Sequence, residues 1–241
     1  MNASWTAPEE DPTQAVISQD TWQKFTADGK PRAFAGNTVI CPLPPQSKMR
    51  DALAALAAAF SRSTFARKLA CLPTDSYHMT IFAGAADQVR TRSEWPADVG
   101  MDTPISECNR IIGQRIQAFR ADLALPIRMR PDGERLLGSL RMVPVDEAER
   151  EKLRQLRNRL ADEVYHFRNN DHDRYEFHIS TAYQLARLTV EEEAEHQALL
   201  ATHMASVMTA GPVVELGDPV YSTYASMFRF EPTLFLRTAA T

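Results

Sequence analysis

The chain has 241 residues, of which 44% are hydrophobic and 24% charged. That balance is ordinary for a globular protein that buries a core, and the length allows one large domain or two small lobes. A formal net charge of −4 argues against a dedicated nucleic-acid-coating surface, although it leaves room for a local basic groove.

Residues 1–20 carry Pro8, Glu9, Glu10, Asp11 and Pro12. They lack the basic start and apolar centre of a secretory signal, and read as a flexible N-terminal arm. No apolar run approaches the roughly 18 residues that span a bilayer. Cys41, Cys71 and Cys108 are odd in number and show no close pairing, which fits a reducing compartment and a cytoplasmic protein.

Beyond the arm, helices and strands alternate. Residues 34–43 read as a strand around Thr38, Val39 and Ile40, closed by Pro42, Pro44 and Pro45. The spacing of Met49, Leu53, Leu56 and Phe60 predicts an Ala-rich helix over 47–60. A strand is expected over 77–82 with Gly84 ending it, and Thr103-Pro104 opens a helix to about residue 120. Residues 127–145 read as paired strands around a Pro131-Asp132-Gly133 turn. Asp146 and Glu149 resemble a capping box for a helix to about residue 167, with Leu153, Leu156, Leu160, Val164 and Phe167 on its apolar stripe. A charged loop over 168–174 leads into a strand over 175–185. Thr189 and Glu192 form a second capping box for a helix to about residue 208, with His196 and His203 expected on its polar face. Strands near 213–216, 222–230 and 234–237 complete an α+β chain of antiparallel or mixed sheets with helices outside.

Two of these strands, about 100 residues apart, carry one pattern. The first reads Tyr77-His78-Met79-Thr80-Ile81 and the second Phe177-His178-Ile179-Ser180-Thr181. Side chains alternate along a strand, so His78 shares a face with Thr80, and His178 with Ser180. Phosphodiester chemistry needs one group to take a proton from the attacking oxygen and another to protonate the leaving oxygen. Two imidazoles that titrate near neutrality can divide those roles. The hydroxyls two residues on can donate to non-bridging phosphate oxygens as charge builds there.

These paired motifs resemble those of the 2H phosphoesterase superfamily. The wider wording Gly36-Asn37-Thr38-Val39-Ile40, Phe65-Ala66-Arg67-Lys68-Leu69, Ser76-Tyr77-His78-Met79-Thr80 and Met227-Phe228-Arg229-Phe230 is similar to its branch known as domain of unknown function 1868. The resemblance spans about residues 34–230 and implies a bilobal fold of two pseudo-symmetric lobes, with one motif each and an active-site cleft between them; the expected single domain runs over residues 21–241. It also implies that His78 and His178 are catalytic and that Thr80 and Ser180 hold the phosphate; it names no substrate, and the expected substrate is a small-molecule cyclic nucleotide or an RNA-terminus phosphodiester. Ser180 stands where many members have threonine, and keeps the hydroxyl. The chemistry calls for no metal, no cofactor and no obligate protein partner.

Other candidates carry less signal. Asn37 beside Gly36 can contact phosphate or shape a turn, and Tyr224 and Phe228 on the last strands can stack a base. Tyr183, three residues after Ser180, points to the opposite face of a regular strand and reads as core. Arg67 and Lys68 can neutralise a phosphate or simply end a helix. Two rival readings stand beside the phosphoesterase. One is a metal-dependent hydrolase using the cluster His166, Asp171, His172, Asp173, Glu176 and His178, whose spacing matches no standard ligand pattern. The other is a nucleotide- or RNA-binding module without significant turnover.

Overall fold

Twelve strands and five α-helices are seen among residues 19–238, the part of the chain that the computed structural model describes. Residues 1–18, most of the expected arm, lie outside the described residues, and a short helix α1 (Gln19–Lys24) starts where that arm was expected to end. The strands β1 (Gly36–Pro42), β3 (His78–Ala86), β5 (Arg128–Leu136), β6 (Ser139–Pro144), β7 (His178–Ser180), β9 (Val214–Glu215), β10 (Val220–Ser226) and β11 (Arg229–Phe235) form one antiparallel sheet. Its order is β11-β10-β1-β3-β7-β6-β5-β9. Four strands lie on each side of the β3–β7 seam, and the strand at the seam in each half carries a histidine motif. The bilobal, pseudo-symmetric α+β arrangement is therefore built on one continuous sheet. Two small ladders flank it: β2 (Leu69–Cys71) with β8 (Ala182–Gln184), and β4 (Arg120–Ala121) with β12 (Arg237–Thr238).

The helices bury the stripes their spacing predicts. In α2 (Lys48–Phe60), Met49, Leu53, Leu56 and Phe60 are buried, and the helix packs against α5 (Val190–Ala210). Thr189 and Glu192 make the reciprocal capping box of α5. Asp146 accepts a hydrogen bond from the Glu149 amide at 2.8 Å and caps α4 (Glu147–Arg159), satisfying one of the unpaired donors of a first turn. A π-helical stretch, Leu160–Tyr165, continues α4 and stacks Tyr165 on Phe82 of β3 at 4.4 Å. Helix α3 (Ile105–Ala118) buries Cys108, Ile112 and Ile116 against the first lobe. Among the described residues no helix is long and apolar enough to cross a membrane.

Several local expectations are corrected. The β5–β6 hairpin turns at Leu137-Gly138, not at Pro131-Asp132-Gly133, which sits inside β5 as a register shift. Gly138 has φ +77°, and a Cβ there would come within 2.8 Å of the Ala182 Cβ. A chain that must turn left-handed against a neighbouring backbone selects glycine. The Gly138 carbonyl then accepts both the amide and the hydroxyl of Thr181, at 2.7 and 3.0 Å. Those bonds break the expected strand over 175–185 into β7 and β8. Strand β3 runs through Gly84 instead of ending there. The expected strand over 222–230 is the β10–β11 hairpin, with its turn at Met227-Phe228. His196 is 4% exposed, not on a polar face: it packs between Phe60 and Phe65 and meets Glu134 at 3.2 Å.

Candidate active site

Met79 of β3 pairs with Ile179 of β7, in antiparallel register. The alternation of a strand then fixes the rest. His78 lies beside Ser180 and Thr80 beside His178, all four on one face, while Met79, Ile81 and Ile179 are fully buried on the other. The two histidines are thus diagonal cross-strand neighbours, a relation that sets Cα atoms about 7–8 Å apart. That separation leaves room for a phosphate between the imidazoles, with a hydroxyl on each side.

The four side chains line a cleft of about 660 Å³. Each histidine is held in the same way: His78 Nδ1 bonds the Ser76 carbonyl at 2.6 Å, and His178 Nδ1 bonds the Glu176 carbonyl at 2.8 Å. A carbonyl only accepts, so Nδ1 carries the proton in the neutral ring and Nε2 is the free base. Burial pushes His78 down to about 4; the Ser76 carbonyl pulls it up, and repulsion from His178 lowers it further. Burial also lowers His178, where the Glu176 carbonyl and carboxylate oppose the lowering effect of Arg135 and Lys24. Both rings are therefore neutral near pH 7.

Aromatic rings complete the symmetry. Phe230 meets His78 edge-on at 4.3 Å, and Tyr175 lies 6.1 Å from His178. Tyr175 lines the cleft. On the rim, the Glu176 carboxylate holds Arg135 at 3.0 Å and Arg141 at 3.1 Å. Arg141 is the cross-strand partner of His178. Lys24 lines the opposite wall, 5.4 Å from the Tyr183 ring.

Not every candidate residue comes to the cleft. Tyr224 lines it. Tyr183 does as well, contrary to its core reading, because the break at Thr181 resets the alternation between β7 and β8. Phe228 is in the β10–β11 turn and packs on Phe25 at 5.9 Å, away from the lining. Asn37 is fully buried outside the cleft: its Nδ2 donates to Asn109 Oδ1 at 2.7 Å and its Oδ1 accepts from the Ala85 amide at 3.2 Å. Lys68 ties the start of α5 through Glu192 at 2.6 Å, and neither it nor Arg67 faces the cleft. The proposed metal cluster is scattered. His166 pairs with Asp98 at 3.0 Å, His172 bonds Asn158 at 2.9 Å, and Glu176 is held by arginines. Among the described residues no three His, Cys, Asp or Glu side chains converge as a ligand set.

Sequence reasoning missed Tyr175, Phe230 and Lys24. Phe230 follows the alternation of Tyr224 only if the turn between them is known. Tyr175 lies outside any strand, so no periodicity announces it.

Residues 24–136 match the family described as Domain of unknown function (DUF1868), whose short name is 2H-phosphodiest; His178 and Ser180 lie beyond the matched segment. No curated protein matches the chain. The crystal structure of a conserved protein of unknown function from Agrobacterium tumefaciens str. C58 is similar, with TM-score 0.83 and 28% identity over 88% of this chain and 90% of that one. Across residues 24–136, His78 and Thr80 among them, the chain matches the DUF1868 family, the branch that its motif wording resembles.

Proposed function

We propose that this protein is a phosphodiesterase of the two-histidine type, acting on a cyclic nucleotide or an RNA-terminus phosphodiester by general acid–base catalysis. The observation that carries the reading is the diagonal quartet at the β3–β7 seam, with both Nδ1 atoms tied to carbonyls and both Nε2 atoms left for chemistry. An anionic phosphodiester between the rings supplies the counter-charge that lets one imidazole take a proton despite its burial. The neutral ring then accepts the proton of the attacking water through Nε2. The protonated ring gives its own to the leaving oxygen, and Thr80 and Ser180 donate to the non-bridging oxygens. The way the substrate lies between the rings decides which of the two acts as base and which as acid. These steps draw on protein groups alone and route nothing through a metal. Three free cysteines fit a cytoplasmic setting.

The pH dependence of kcat/KM on a 2′,3′-cyclic nucleotide tests the reading. A bell is expected, because one ring must be neutral and one protonated, and replacing either histidine should alter both limbs. A profile flat across the range where the histidines titrate would contradict it.

A further inference from the structure

Beside the cleft, and sharing Tyr175 with it, lies a second hollow of about 350 Å³. Its lining brings together four arginines, Arg141 of β6 and Arg150, Arg154 and Arg157 of α4, against two acids, Asp173 and Glu176. Spacings of four and three residues put the α4 set on one face of the helix. Arg157 is 4% exposed, and among the described residues no acidic side chain comes within ion-pair distance of it. Two of its N–H groups are used: Nη1 donates to the Ile81 carbonyl, and Nη2 to the His172 carbonyl at 3.1 Å. The Tyr175 ring, 4.2 Å from the guanidinium, offsets part of its desolvation but brings no negative charge. A buried cation left without a counter-charge is costly. His172, 7% exposed, also lines the hollow; it bonds Asn158 through Nε2 at 2.9 Å, and its Nδ1 is buried without a partner among the described residues. The fold alone therefore leaves the polar groups of this hollow incompletely matched.

We infer that this hollow is a second phosphate-binding site, taking a nucleotide phosphate distinct from the one between the histidines. Guanidinium forks match the oxygens of a phosphate, and the phosphate brings the charge that Arg157 lacks. The three outer arginines are committed only to surface pairs: Arg141 with Glu176 at 3.1 Å, Arg150 with Glu147 at 2.9 Å and Arg154 with Glu151 at 2.6 Å. Such pairs contribute little in water, so these side chains are able to turn to a doubly charged anion. Met142, Val143, Pro144 and Phe177 give the same hollow an apolar side, which suits a sugar or a base attached to the phosphate. The hollow adjoins the cleft at two points: Tyr175 lines both, and Arg141 is the cross-strand partner of His178. A neighbouring phosphate of the molecule in the cleft and the phosphate of a separate nucleotide present the same chemistry to these arginines. The site stands on the arginines themselves, and only the first of these sources rests on the two-histidine reading.

The test is calorimetric titration of the full chain with adenosine 5′-monophosphate, in the wild-type and the His178→Ala backgrounds so that binding in the cleft is told apart. Arg150→Ala combined with Arg154→Ala should weaken binding by about 10-fold or more in both backgrounds, the scale of losing charge-assisted hydrogen bonds. Both positions are partly exposed on α4, where alanine favours the helix, so the double variant keeps the fold. Arg157→Met should abolish this binding and Arg157→Lys should keep part of it. If the Arg157 variants fail to fold, the outer pair decides alone. Affinity equal to that of the unsubstituted protein in the double variant, in both backgrounds, would overturn the inference. Kinetics then name the source. If a neighbouring phosphate of the substrate fills the hollow, the double variant raises KM by about 10-fold for a dinucleotide ending in a 2′,3′-cyclic phosphate and by much less for 2′,3′-cyclic AMP. If a separate nucleotide fills it, the two substrates respond alike. No turnover of either substrate, with binding still lost in the double variant, would remove the two-histidine reading and leave the second site standing.

Discussion

Replacing His78 by glutamine should make the protein less sensitive to acid. In the folded chain burial holds His78 at about 4, against 6.5 for a free imidazole. The folded value lies below the unfolded one, so as pH falls the unfolded chain takes up the proton first. Stability is fully present above about pH 6.5 and is lost progressively as pH falls toward 4. At pH 5, about 1.5 units below the unfolded value, the loss from this one group is about 2 kcal/mol at 1.36 kcal/mol per unit. His78→Gln removes the titration and keeps a polar side chain of similar reach. Urea unfolding of both proteins at about pH 5 and about pH 7.5 isolates the term, because the other carboxylates and histidines are common to both. The wild type should lose about 2 kcal/mol more than the variant over that interval. Equal pH sensitivity in the two would refute the claim that burial in the cleft holds His78 neutral.

Inorganic phosphate should bind more tightly as pH falls from 7.5 toward 5.5, since the anion favours the protonated pair; calorimetry at the two values checks the sign. Thr80→Val and Ser180→Ala should each lower kcat by on the order of 10–10³-fold with the pH profile unmoved, as measured by steady-state kinetics. Gly84→Ala should destabilise the fold by about 2–4 kcal/mol in urea. Its Cβ would fall within 2.5 Å of the Asn37 carbonyl oxygen and 2.8 Å of Tyr165, against the Asn37 bridge to Ala85. Asp146→Ala should cost about 1 kcal/mol as the loss of a helix cap.

Much of this architecture is legible because local rules govern it. The stripes of α2 and α4, the caps at Asp146 and Thr189 and the alternation around both histidines depend on residues within a few positions of each other. What escapes reading depends on distant partners. Pro131-Asp132-Gly133 has strong turn chemistry, yet the hairpin turns at Gly138, where the backbone must also meet Thr181 and Ala182. Asn37 looks like a phosphate contact until Asn109 and Ala85 are seen to use its amide. Tyr183 enters the cleft only through the break at Thr181, and Tyr175 enters through a loop held by Arg157. The motif gives the reacting groups; the groups that position them are set by tertiary contacts.

The most direct measurement is hydrolysis of 2′,3′-cyclic nucleotides by the wild type, His78→Ala and His178→Ala, each with and without EDTA. The account predicts wild-type turnover unchanged by EDTA and a loss of about 10²–10⁴-fold in either variant, the range for removing a proton-transfer group. Full activity in either folded variant, or activity abolished by chelation and restored by added metal, would contradict it.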